Sequence, residues 1–153
     1  MPFDLGDLFP HLASLCGAYA LALPIGWDRE RNERSAGLRT FPLVALASCG
    51  FVQATELHIQ GSPEAQARII EGLITGIGFI GGGAIIKQGG AVQGTATAAG
   101  LWATGAVGAA VGLGSYDVAV VIAAITIVTF RGLSPLKQQK TPGDDVGPPE
   151  GRD

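Results

Sequence analysis

Apolar residues in this chain fall into five long runs, separated by short segments that carry most of the charge. The runs cover about 8–27, 40–59, 69–86, 95–113 and 116–133. Each approaches the ~20 residues a helix needs to cross a ~30 Å hydrocarbon core. The fifth is apolar only to Phe130, so it must extend to Leu133 or sit where the bilayer is thinner. The pattern predicts an all-α fold, a polytopic membrane protein with about five transmembrane helices. Local punctuation agrees. Thr40 can cap the second helix, and Ser62-Pro63-Glu64 offers the third a capping hydroxyl, a first-turn proline and an acid at the positive dipole end. Gly89-Gly90 should end the third helix, Ser115 can cap the fifth, and Ser134-Pro135 should stop it. Gly81-Gly82-Gly83 suggests a kink or irregular backbone within the third helix. Residues 1–133 then form one transmembrane domain. Residues 134–153, with Pro135, Pro142, Pro148 and Pro149 among Gly and charge, are expected to be a disordered tail.

The basic residues fix an orientation. Five spans leave Arg29, Arg31, Arg34, Arg39, Lys87, Arg131, Lys137, Lys140 and Arg152 on one side, nine of the ten Lys and Arg, with Arg68 alone opposite. Basic loops stay in the cytoplasm, so the N-terminus is expected outside and the C-terminus inside. Asp4, Asp7, Glu56, Glu64, Glu71 and Asp117 then lie on or near the outer side. Such a surface either gathers cations or is what remains when basic residues are kept inside. Met1 to His11 holds Asp4 and Asp7 and no Lys or Arg, unlike the basic start of a cleaved signal peptide.

Composition narrows the function. Hydrophobic residues make up 47% and charged residues 15%, against ~25% charged in soluble domains. The 24 glycines suit membrane helices, where a missing side chain lets two backbones approach. A net charge of -3 gives no basic footprint for nucleic acid. Cys16 and Cys49 lie inside apolar runs, without disulfide or metal spacing. His11 and His58 are the only histidines, no Ser-His-Asp set or metal cluster is seen, and no cofactor is expected. The reading is therefore not an enzyme.

Three motifs stand out. Asp28-Arg29-Glu30-Arg31 opens a cytoplasmic connection that runs to Arg39, within which Glu30 and Arg34 can pair and Asp28 can meet Arg39 as a partly buried ion pair. Gly76-Ile77-Gly78-Phe79-Ile80-Gly81 matches a dinucleotide fingerprint, but no strand precedes it and no acid follows at the required distance. Helix packing is the better reading, through Gly72/Gly76 and Gly78/Gly82, with Gly108/Gly112 repeating the spacing in the fourth helix. Thr95, Thr97 and Thr104 line the fourth helix, and Glu71 is the ionisable residue nearest a span interior.

Four blocks in series resemble the membrane domain of the MgtC/SapB family. They are Ile25-Gly26-Trp27-Asp28-Arg29-Glu30-Arg31, Ala36-Gly37-Leu38-Arg39-Thr40, Gly76-Ile77-Gly78-Phe79-Ile80-Gly81-Gly82-Gly83, and Gly94-Thr95-Ala96-Thr97-Ala98-Ala99-Gly100-Leu101-Trp102. The resemblance runs from about Leu8 to Phe130. It implies a multi-pass protein of the bacterial inner membrane, linked to magnesium limitation and, in some relatives, to survival in host cells and modulation of ATP synthase. It marks Asp28, Arg29, Glu30, Arg31, Arg39, Gly76, Gly78 and Thr97 as functional positions. Glutamate is usual at the Asp28 position, a basic residue is common where Gln93 stands, and the family's cytoplasmic C-terminal domain has no counterpart in the tail. The expected function is a non-enzymatic regulator whose partners are the lipid bilayer and other membrane proteins or further copies of itself. A Mg²⁺ or other cation transporter is the alternative, with Glu71 and the outer acids gathering the ion; no metal ligands are assigned.

Overall fold

The computed structural model describes residues 5–31, 36–59, 62–88 and 91–137. Five helices follow in order: α1 Leu5–Arg31, α2 Thr40–Ile59, α3 Pro63–Gly83, α4 Thr95–Gly112 and α5 Tyr116–Lys137. Between α3 and α4 lies an antiparallel hairpin, β1 Ile86–Gln88 and β2 Ala91–Gln93, with Lys87 opposite Val92.

Helix α4 is apolar on every side and sits at the centre, touching each of the other four. Three of its glycines set how closely they approach. A methyl at Gly108 would strike the Ala45 carbonyl of α2, one at Gly112 would lie 2.8 Å from Val52 Cβ, and one at Gly105 would strike Ile77 of α3. Backbone thus packs directly on backbone, the usual means of association where lipid removes the hydrophobic drive.

Caps explain several borders. Ser62 Oγ accepts the Ala65 N–H at 3.3 Å, with Pro63 and Glu64 following as the sequence suggested. At the other end of α4, Gly114 at φ +75° closes a Schellman turn. There the Ser115 N–H donates to the Ala110 carbonyl and the Gly114 N–H to that of Val111.

Other expectations need correction. Helix α3 continues unbroken through Gly81-Gly82-Gly83 and ends there, not at Gly89-Gly90. The hairpin takes over because Ile86–Gln88 pairs with Ala91–Gln93, and Gly94 at φ +87° folds back under the Ala84 carbonyl. Thr40 is the first residue of α2 rather than its cap, since the Gly37 carbonyl accepts both the Thr40 and Phe41 N–H groups. Helix α5 runs past Ser134-Pro135 to Lys137; so near a C-terminus, proline forfeits only the bond to the Arg131 carbonyl. The rest of the tail, Arg34 and the His58 side chain lie outside the described residues.

Among the described residues, one helix has the length and apolarity of a membrane span: Leu8–Arg31, with mean hydropathy 1.5. Arg68 and Glu71 interrupt the apolar stretch of α3.

Candidate functional site

The end of α1 meets α2 and α5 around a buried charge cluster. Arg29 is 3% exposed and Asp28 8%. The Arg29 Nη2 donates to Asp28 Oδ2 at 2.9 Å, and the Arg131 Nε on α5 lies 3.8 Å from Asp28 Oδ1. The Arg29 guanidinium also stacks over the Phe130 ring, 3.7 Å from its centroid. Weakly hydrated and planar, guanidinium tolerates such a site where ammonium would not. Phe130 in turn lies flat on α4, because Gly100 has no side chain; a methyl there would sit 2.5 Å from Phe130 Cζ and 3.1 Å from Phe41 Cε1. The Arg29 Nε is fully buried and makes no hydrogen bond among the described residues. Arg29 in the last turn of α1 also faces the negative end of that helix dipole.

Glu30 ties the following connection to α1. Its Oε2 accepts the Leu38 N–H at 3.1 Å, and a methyl on Gly37 would collide with that same oxygen. The Gly26 Cα packs beside it, 3.2 Å separating a methyl there from the Gly37 carbonyl oxygen. Ala36-Gly37-Leu38 is thus moulded onto the end of α1.

The motif residues divide sharply. Asp28 and Arg29 pair in a buried site, Glu30 is exposed and accepts the Leu38 N–H, and Thr97 is buried on α4. Arg31, Arg39 and Glu71 are exposed. The expected Asp28–Arg39 ion pair does not form, because Asp28 turns inward to Arg29 and Arg131 while Arg39 points out beside α3. Gly72, Gly76, Gly78 and Gly82 do not pack within the chain: a methyl on any of them meets nothing within 4 Å. Gly108 and Gly112 lie against α2. Arg131 and Phe130 escaped sequence reasoning, since their contact with residues about a hundred positions earlier leaves no local pattern. The basic residue just past the fifth run was the only available signal.

At the opposite end, a cavity of about 530 Å³ opens where all five helices meet; His11, Ser14, Gln53, Glu56, Gln66 and Tyr116 line it. Ser14 Oγ and Tyr116 Oη lie 3.2 Å apart there, joining α1 to α5. Among the described residues no three His, Cys, Asp or Glu side chains group to hold a metal.

These features define a class: a small all-helical protein with a buried ion pair and hydroxyls inside and large apolar side chains outside. The chain belongs to the MgtC family, whose profile matches residues 15–139. It is 38% identical over 109 residues to Protein MgtC of Salmonella typhimurium, covering 71% of this chain and 46% of that protein. It is 40% identical over 126 residues to Protein MgtC of Brucella abortus, covering 82% and 52%. The chain spans about half the length of the curated relatives it matches. No solved structure is significantly similar to it.

Proposed function

We propose that this is a multi-pass protein of the bacterial inner membrane, N-terminus outside, that regulates other membrane proteins by contact and catalyses nothing itself. The observation that carries the membrane reading is inverted polarity. Phe79 is 86% exposed, Val128 69% and Phe51 and Ile125 61%, while Thr104 is 0% exposed and Ser48 and Thr97 2%. In water that surface would be an aggregation hazard. In hydrocarbon it is the solvent-matched face, and the hydroxyls are best kept inside. Thr104 and Thr126 satisfy theirs on the carbonyls four residues back, at 2.8 Å each.

A regulator is favoured over a conduit because the middle of the bundle is filled. Phe41, Leu101, Val107 and Thr104 leave 0–1% of their surface open. The family resemblance adds a link to magnesium limitation. The outer cavity, with Glu56 and His11, favours transport as a second reading.

Reporter fusions at both termini and alkaline extraction test the first claim. Ends on opposite sides, in a protein resistant to extraction, are expected; recovery in the aqueous phase would refute it. Liposomes with an internal Mg²⁺ dye test the second. No flux above empty vesicles is expected, and a flux abolished by Glu56→Gln would replace regulation with transport.

A further inference from the structure

We propose that the groove between α2 and α3 holds an acyl chain of an anionic glycerophospholipid whose phosphate meets Arg39. This rests on the membrane reading above. The groove has a volume of about 800 Å³, and Leu43, Ala47, Phe51, Leu73 and Ile80 form much of its wall. Of the hydroxyls that line it, that of Thr55 is engaged within its own helix, donating to the carbonyls of Phe51 and Val52, 3.0 and 2.9 Å away. Gly72 and Gly76 keep one side open, since a methyl at either meets nothing within 4 Å.

Arg39 stands at one end of this apolar trough, exposed and outside every ion pair among the described residues. It belongs to the basic end of the bundle, with Arg29 and Arg131. Helix α2, which begins just after Arg39, rises about 22 Å from Thr40 to Thr55, at ~1.5 Å per residue. Half of a ~30 Å hydrocarbon core is ~15 Å, so one acyl chain fits from the interface past the midplane. Basic sites beside apolar grooves on the cytoplasmic side are where anionic headgroups bind.

Charge separates this occupant from a second copy of the chain. Two copies inserted by the same rule face the same way. A neighbour's helix in the groove would therefore bring its own arginine-rich end towards Arg39. A lipid phosphate brings the opposite sign. Free phosphate would satisfy Arg39 but leave the apolar walls bare.

The full chain in detergent micelles is titrated with phosphatidylglycerol or with phosphatidylcholine of the same acyl chains, and bound lipid is counted by native mass spectrometry. At least a tenfold preference for phosphatidylglycerol is expected. Arg39→Gln should abolish the preference and Arg39→Lys keep most of it; Gly76→Leu, which fills the trough, should weaken both lipids. Circular dichroism confirms that each variant is folded. Equal binding of the two lipids would overturn the proposal. So would a preference that survives Arg39→Gln, competition by inorganic phosphate alone, or a Gly76→Cys disulfide dimer that excludes lipid. Failure of the membrane reading looks different: the protein would then leave the membrane fraction without detergent.

Discussion

Adding one methyl group at Gly108 and at Gly72 should move stability in opposite directions, although both glycines lie inside helices. Gly→Ala in a helix interior gains about 0.5–1 kcal/mol by restricting the unfolded chain. At Gly72 nothing opposes that gain, because the new Cβ meets no atom within 4 Å. At Gly108 it would overlap the Ala45 carbonyl oxygen and stand 2.8 Å from the carbonyl carbon and Cα. These are backbone atoms in the middle of α2, so no rotamer change relieves the clash, and the two helices must separate. Overpacking of this kind costs about 1–3 kcal/mol. Separation also forfeits contacts along the whole seam, including Gly112 on Cys49 and Val52. The net expectation is a loss of about 1–2 kcal/mol for Gly108→Ala and a gain of up to about 1 kcal/mol for Gly72→Ala. Thermal unfolding in one detergent, followed by circular dichroism, measures both against the wild type. Equal midpoints for the two variants, or a lower one for Gly72→Ala, would refute the packing argument.

Other consequences follow from the same geometry. Asp28→Ala should cost about 3–5 kcal/mol, because it leaves Arg29 charged and buried, and Arg29→Ala should cost less, because Arg131 still faces Asp28; Arg31→Ala, on the exposed side, should stay within about 0.5 kcal/mol, and a double variant less damaging than the sum would confirm the coupling. Gly94→Ala should lose more than Gly114→Ala: both carry the left-handed cost of about 1–2 kcal/mol, but only Gly94 also meets the Ala84 carbonyl, so equal melting temperatures would count against it. In intact vesicles, neither Cys16, on the surface of α1, nor buried Cys49 should react with a charged maleimide, because a thiol facing hydrocarbon does not form the reactive thiolate; rapid labelling of Cys16 by the charged reagent would place that face in water.

Much of the fold was legible because long apolar helices announce themselves by composition. The ends of α2 coincide with the apolar run over 40–59, and Ser62-Pro63 marked the start of α3 through chemistry that acts within one turn. The hairpin was missed although Gly89-Gly90 between Ile86-Lys87-Gln88 and Ala91-Val92-Gln93 carries a two-residue turn signal. A long apolar run absorbed Ile85 and Ile86 into the helix, and the pairing that stops α3 exists only once Gly94 folds under Ala84. The charge cluster was half legible. Asp28, Arg29 and Glu30 sit together in sequence, but whether an arginine faces water or a ring depends on α5 returning beside α1. Glycine spacing could not say, for a related reason, which pairs pack within the chain. Gly72/Gly76 and Gly108/Gly112 share one pattern, and only the arrangement of neighbours decides which pair meets a backbone.

That difference between the glycine pairs divides the molecule. Helix α4 has nine buried residues, Thr97 to Val111, and closes on α2 through Gly108 and Gly112 and on Phe130 of α5 through Gly100. Arg29 stacked on Phe130, and Asp28 3.8 Å from Arg131, then fasten α1 to α5 where a burial penalty makes any opening expensive. Helix α3 buries only Ile77 and Gly81 among its residues, and presents Gly72, Gly76, Gly78, Phe79 and Gly82 outward. The regulator proposed above would need a rigid frame and a face that neighbours can read. On that proposal the four locked helices would provide the first, and the small, apolar outer surface of α3 would be the face that lipid or another helix approaches. The glycines that lock helices together and those left uncovered therefore lie on different helices, which is why Gly108 and Gly72 should respond so differently to the same methyl group.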